Sequence, residues 1–141
     1  MKQLIRLSIV LLALILPVTA SAYSFEVDGI YYEDWGDYCV AVVSGDNQYT
    51  GDVTIPETVT YDGTTYSVNW IGDESFYECI GLTDVTIPNS VTCIGWAAFC
   101  GCSSLTGIDI PNSVTEIYGY AFYNCSGLTG TLTIPNFRGR K

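Results

Sequence analysis

Histidine is missing from this sequence altogether, and between Tyr23 and Phe137 there is neither a lysine nor an arginine. The five basic residues are Lys2 and Arg6 at one end and Arg138, Arg140 and Lys141 at the other. All 15 carboxylates fall between them, and the formal net charge is −10. A surface of this sign repels phosphate backbones and anionic lipid, whose binding depends on Lys and Arg neutralising phosphate, so nucleic acid is excluded as a partner. The same gap narrows the available chemistry. Without His or Lys, proton transfer near neutral pH falls to carboxylates, Tyr or Cys. Long apolar runs are equally scarce: the run Leu7–Leu16 is too short to span a bilayer comfortably.

That run has a different reading. Lys2 and Arg6 precede it, and Ala20-Ser21-Ala22 follows it as a small-residue cleavage site. Residues 1–22 are therefore expected to be a signal peptide, with a mature chain starting at Tyr23 that is secreted or held at the cell surface. No membrane insertion is expected after cleavage. No Cys follows the cleavage site, so nothing suggests a lipid-anchored start.

What the sequence does contain is a repeat. "LTDVTIPNSVTCIGWAAFCGCSS" (Leu82–Ser104) and "LTGIDIPNSVTEIYGYAFYNCSG" (Leu105–Gly127) are nearly one sentence written twice. Leu82 and Leu105, Val85 and Ile108, Ile87 and Ile110, Val91 and Val114, and Ile94 and Ile117 all keep a step of 23 residues. Phe76, Phe99 and Phe122 keep it too, as do Cys79, Cys102 and Cys125. Thr, Asn and Ser fall between, so each unit has one inward set. A unit this short cannot bury that set alone, whereas stacked units share a continuous core, which makes each copy a solenoid rung. Within a rung, "LTGIDIP" alternates as a strand that Pro111 ends, "VTEI" is a second short extended piece, and "YAFYNC" is long enough for one helical or 3₁₀ turn.

The rungs are expected at about 52–81, 82–104 and 105–127, with a partial one at 128–136, making 52–136 the solenoid. The first is interrupted at 60–67 by a hairpin centred on Asp62-Gly63, a pairing that favours a tight two-residue turn and is expected to protrude. Residues 23–51 leave the repeat. "FEVDGIYYE" is a second Asp-Gly hairpin and "YCVAVVSG" a further strand, so this segment is expected to be a β cap over the first rung. After "LTGTLTIPN" the sequence runs into the basic tail 137–141, "FRGRK", with no closing cap written. The expectation is an open last strand edge or a reading frame cut short. The fold class is thus an α/β repeat: a solenoid of mostly short strands with one-turn helical segments and a hairpin cap.

The pattern L-x-x-[VI]-x-I-P-N-S-V-T-x-I-x-x-x-A-F-x-x-C resembles the BspA-type leucine-rich repeats of bacterial surface and secreted proteins. The match runs over about Val53–Pro135, and Ser75 departs from it where Ala precedes the Phe. The resemblance implies a leucine-rich-repeat solenoid that binds macromolecules at a cell surface, host or microbial surface proteins among them, and it brings no catalytic motif.

Six cysteines in an exported chain invite disulfides. Cys79, Cys102 and Cys125, however, share one repeat position. Their Cβ atoms should lie about 4.8 Å apart, beyond the roughly 3.8 Å mean of a disulfide, which favours buried thiols. Cys39, Cys93 and Cys100 stand outside that column, and their pairing is open. No metal site is expected from Cys100-Gly-Cys102 without a histidine, nor a calcium loop from Asp46, Asn47 and Asp52, whose spacing does not fit. Asp84 and Asp109 occupy different repeat positions and no acidic pair is singled out, so neither a glycosidase nor any other enzyme is expected. No catalytic residue and no cofactor is assigned. Asn124-Cys125-Ser126 fits an N-glycosylation pattern but includes a buried-column cysteine.

The aromatics carry the functional expectation. Trp70, Trp96, Tyr77, Tyr118, Tyr120 and Tyr123 fall where the repeat does not demand an apolar side chain, and exposed Trp and Tyr suit protein interfaces. They form the candidate ligand surface of a non-enzymatic binding module whose partner is expected to be a protein, with a glycan as the alternative. The expected core is Leu82, Val85, Ile87, Val91, Ile94, Phe99, Cys102, Leu105, Ile108, Ile110, Val114, Ile117, Phe122 and Cys125.

Overall fold

Two Asp-Gly pairs bend the chain as the hairpin signal requires. Asp28 and Gly29 have φ of 52° and 80°, and Asp62 and Gly63 have 46° and 75°. Both residues of each turn are left-handed, which matches the right-handed twist of the strands they join. The computed structural model describes residues 23–130 and 132–134, so the expected signal peptide at 1–22 and the basic tail at 137–141 lie outside the described residues.

The first turn joins β1 (Phe25–Val27) to β2 (Ile30–Asp34), and β2 pairs antiparallel with β3 (Cys39–Val43). The second turn joins β5 (Thr58–Tyr61) to β6 (Thr64–Ile71). β6 has two roles. Its first half closes the hairpin, while its second half lies parallel to β3, with Val40 opposite Val68 and Val42 opposite Ile71. The hairpin expected to protrude instead folds onto the cap, where Tyr61 stacks on Phe25 at 4.5 Å and 4°. Burying two aromatic faces outweighs leaving both in water.

From β6 the sheet continues rung by rung through β8 (Cys93–Ile94) and β9 (Glu116–Ile117). Trp70, Cys93 and Glu116 are in parallel register, as are Ile71, Ile94 and Ile117. A second sheet pairs β4 (Gly51–Thr54) with β7 (Leu82–Thr86) and extends to the third rung by a single bridge, Thr86 to Asp109. Each rung thus feeds both sheets, and the apolar columns meet between them. Leu82, Val85, Ile87, Val91, Ile94, Phe99, Cys102, Leu105, Ile110, Val114 and Cys125 are buried. Ile108, Ile117 and Phe122 are only half-buried, because the next rung covers them, among the described residues, with little more than Leu128 and Leu132.

The helical part of the expected fold class needs correcting. Among the described residues there is no α- or 3₁₀-helix. Where a helical turn was expected at Tyr120–Cys125 and its repeats, the chain makes consecutive turns, and in the first two rungs their amides divide between two partners. Ser75, Tyr77 and Cys79 donate to carbonyls three residues back within their own rung. Glu74, Phe76 and Glu78 donate across to Trp96, Ala98 and Cys100 of the next. The second rung repeats this toward Gly119, Ala121 and Tyr123. A helix would use every amide internally and leave none to join the rungs. The alternation carries a backbone cost: Glu74, Ala97 and Tyr120, each 23 residues on, and Glu78 and Asn124, adopt φ between 50° and 60°. A left-handed non-glycine costs on the order of 1 kcal/mol, which the inter-rung hydrogen bonds offset at about 1 kcal/mol each.

Ser75 is the exception in its column. It occupies the place of Ala98 and Ala121, is 1% exposed, and its hydroxyl has no hydrogen-bond partner among the described residues. Ser75→Ala is expected to stabilise the fold by about 1 kcal/mol, since it removes an unsatisfied buried group. A thermal unfolding scan checks this, and a lower melting temperature would show that the hydroxyl is bonded after all.

Candidate ligand-binding surface

The outer side of the turn column is where side chains escape the repeat's packing demands. Residues 73, 96 and 119 share one position, as do 74, 97 and 120, and 77, 100 and 123. The first rung fills these positions with Asp73, Glu74 and Tyr77, the second with Trp96, Ala97 and Cys100, and the third with Gly119, Tyr120 and Tyr123. Trp96, Tyr77, Tyr120 and Tyr123 are exposed, as is Tyr118 beside Gly119.

These rings are not scattered. Trp96 packs edge-on against Tyr120 at 6.0 Å, and Tyr120 against Tyr123 at 5.7 Å. Tyr118, on the other side of Gly119, stacks parallel to Trp70 at 6.2 Å, and Trp70 meets Trp35 edge-on at 4.6 Å. The aromatic face thus consists of two clusters, Trp35–Trp70–Tyr118 reaching from the cap to the third rung, and Trp96–Tyr120–Tyr123 on the second and third rungs.

Trp70 departs from its expected place. It is half-buried between Trp35 and Tyr118 and packs on the core, with its indole N–H buried and unpaired among the described residues. The indole exposed in that cluster is Trp35, 49% accessible, which the repeat pattern could not reveal because the cap lies outside it. The available signal was local: Trp35 stands in "EDWGDY", a polar turn where no core position is expected.

Carboxylates are interleaved with the rings. The indole N–H of Trp35 donates to Glu33 at 2.8 Å, the phenol of Tyr118 to Glu116 at 2.9 Å, and the amide of Trp96 to Asp73 at 2.7 Å. Glu78 lies close enough to Tyr77 to push its phenol up.

The titratable groups with the largest shifts lie beneath this face or in the cap, not on the surface. Burial pushes the Cys102 thiol up to about 12, with Cys79 and Cys125 adding to it. Cys93 rises to about 11 by burial first and then by Glu116 and Asp73, and Tyr32 rises to about 12 by burial and Asp28. The thiols of Cys102 and Cys125 each donate at 3.0 Å to the carbonyl of the Phe 26 residues earlier, Phe76 and Phe99. All six cysteines are free, including Cys39, Cys93 and Cys100. A thiol or phenol whose folded pKa lies above its unfolded value contributes stability that is complete below the unfolded pKa and lost as pH climbs through the folded one. Stability is therefore expected to hold up to about pH 9 and to fall steadily between about 9 and 12. Urea midpoints measured across that range check this, and a flat profile would contradict it.

Two open clefts of about 360 and 410 Å³ lie between the Asp28-Gly29 turn and β4–β5. They share Asp28, Ile30 and Thr54, and the tyrosines that reach them, Tyr31, Tyr32 and Tyr49, are buried. Tyr49 is held there structurally, its hydroxyl donating to Val43 O at 2.7 Å and accepting from the Tyr31 amide. Among the described residues no cluster of three or more Cys, Asp or Glu side chains has the geometry to hold a metal ion.

Residues 52–138 match the family model described as "BspA type Leucine rich repeat region (6 copies)". No curated protein matches the chain. Among solved structures, it is similar to a leucine-rich repeat protein from Bacteroides ovatus with a TM-score of 0.74 and 35% identity, covering 80% of this chain and 30% of that one. A T. pallidum leucine-rich repeat protein has a TM-score of 0.66 and 28% identity, covering 79% of this chain and 50% of that one. A leucine-rich cell surface protein from Faecalibacterium prausnitzii has a TM-score of 0.53 and 29% identity, over 72% and 34%. The chain spans half or less of the length of each of these three proteins.

Proposed function

This chain belongs to the BspA-type leucine-rich repeat family, and from that premise we propose that it is an exported, non-enzymatic binding module that holds a protein ligand on the aromatic face. Repeats of this family typically serve protein interaction. The observation that carries the reading here is a pair of ring clusters, Trp35–Trp70–Tyr118 and Trp96–Tyr120–Tyr123, in which Trp35, Trp96, Tyr118, Tyr120 and Tyr123 are exposed to water. Large rings lose few rotamers on binding and supply most of the energy at protein interfaces. Export and a role at the cell surface, including adhesion, are supported by the layout of residues 1–22 and by the description of the F. prausnitzii relative.

A glycan ligand is the weaker reading. Sugar sites want an aromatic platform inside a cleft, and the two clefts near the cap present no exposed Trp or Tyr ring.

The test is a binding screen of the purified chain against immobilised bacterial and host surface proteins, repeated with the double variant Trp96→Ala/Tyr120→Ala. Any ligand found is expected to bind the variant at least about tenfold more weakly, as expected when central aromatic anchors are removed. Binding should survive excess oligosaccharide. A ligand that binds the variant as well as the parent would place the interface elsewhere, and competition by oligosaccharide would favour the glycan reading.

A further inference from the structure

Among the described residues the aromatic face is bordered by negative charge and by no positive charge, and this says which kind of protein it takes. Resting on the reading of that face as the interface, we propose that its occupant is a Lys/Arg-rich polypeptide segment.

The arrangement is graded along the solenoid. In the first rung the outer positions 73, 74, 77 and 78 read Asp, Glu, Tyr, Glu, and all four side chains are exposed. In the second and third rungs the same positions carry Trp96, Tyr120 and Tyr123. Neighbouring rungs lie about 4.8 Å apart. Glu74 and Glu78 therefore stand one rung from Trp96 and two from Tyr120 and Tyr123. An arginine or lysine stem laid over those rings would bring its charge to the carboxylates at the edge, satisfying a cation–π contact and an ion pair together. A second pairing lies along the Trp35–Trp70–Tyr118 cluster, where Glu33 of the cap accepts from Trp35 and Glu116 of the third rung accepts from Tyr118.

Among the described residues nothing offers an anionic partner a counter-charge. Every one of the 15 carboxylates lies between Tyr23 and Phe137 and no basic residue does. A phosphorylated, nucleic or acidic segment meets repulsion from every side, whereas a cationic one is steered toward the face before contact. A neutral partner would leave Glu74 and Glu78 without a role at the interface.

The experiment uses the full chain and three labelled peptides: an oligo-arginine, an oligo-glutamate and a neutral peptide of equal length, with binding read by fluorescence anisotropy. The oligo-arginine is expected to bind, and its affinity to fall roughly tenfold between low and physiological salt, while the other two do not bind. Glu74→Gln/Glu78→Gln, which leaves backbone and rings in place, should weaken it about tenfold, and so should Trp96→Ala/Tyr120→Ala. Asp62→Asn/Asp84→Asn removes the same charge from the hairpin tip and the opposite sheet, and should leave affinity within about twofold. Equal loss in both carboxylate pairs would reduce the effect to overall charge and overturn the proposal, as would loss confined to the carboxylate variants with the rings irrelevant. No oligo-arginine binding at all, with a surface-protein ligand still dependent on Trp96 and Tyr120, would sink the cationic partner and leave the interface reading standing.

Discussion

Phe99→Ala is expected to cost about 3–5 kcal/mol, enough to unfold a domain of ordinary marginal stability. Phe99 is fully buried and stacked on both faces, on Phe76 at 4.9 Å and 8° and on Phe122 at 5.4 Å and 3°. In a solenoid each rung touches only its neighbours, so this one truncation damages two of the few interfaces the fold has. Phe122→Ala removes the same ring where it is half-buried and should cost roughly half as much. Urea titration followed by circular dichroism measures both. Equal losses at the two positions would mean that the third rung is as tightly sealed as the second.

Gly95→Ala is the second large effect, about 3 kcal/mol or more, and it arises from overpacking rather than from a cavity. A Cβ at Gly95 would lie 2.5 Å from Asp73 Oδ1, 2.6 Å from the Asp73 amide nitrogen and 2.7 Å from the Gly72 carbonyl carbon. Two of these are backbone atoms of the preceding rung, which is bonded to this one through the Gly95 amide and the Ile71 carbonyl at 2.8 Å. They cannot retreat without breaking the parallel ladder. The Trp96 amide would lose Asp73 at the same time, so the substitution should also disturb the aromatic face and broaden the indole fluorescence. Gly107→Ala is the control: nothing lies within 4 Å of its Cβ position, and a change within about 0.5 kcal/mol is expected there. A melting temperature for Gly95→Ala equal to that of the control would show that the rungs slide past one another more freely than their hydrogen bonds imply.

Much of the fold was legible because stacking imposes one constraint repeatedly. An inward position must be apolar in every rung, so Leu82 and Leu105, or Ile94 and Ile117, announce themselves by their 23-residue spacing. Both Asp-Gly turns were legible for a local reason, since few other pairs tolerate two left-handed residues in succession. The turns at 73–79, 96–102 and 119–125 were not. A segment such as "YAFYNC" has enough helix-forming residues to suggest a helical turn, and nothing within it reveals that its carbonyls at Ala121 and Tyr123 accept from the Phe99 and Gly101 amides of the rung before. One ring of the aromatic face was hidden for a similar reason. Trp96, Tyr120 and Tyr123 stand out against the repeat, whereas Trp35 belongs to the cap and reaches the face only because β3 lies parallel to β6.

The sequence by itself determined the period, the inward columns, the sign of the surface and the family, because each is written as residue type at a fixed spacing. Tertiary structure alone decided which rings meet, that Trp70 is sheltered while Trp35 is open, and that the turn backbone is left-handed at every fourth residue. Those outcomes depend on which rung's carbonyl lies within reach of a given amide, and that is settled only when the rungs are stacked.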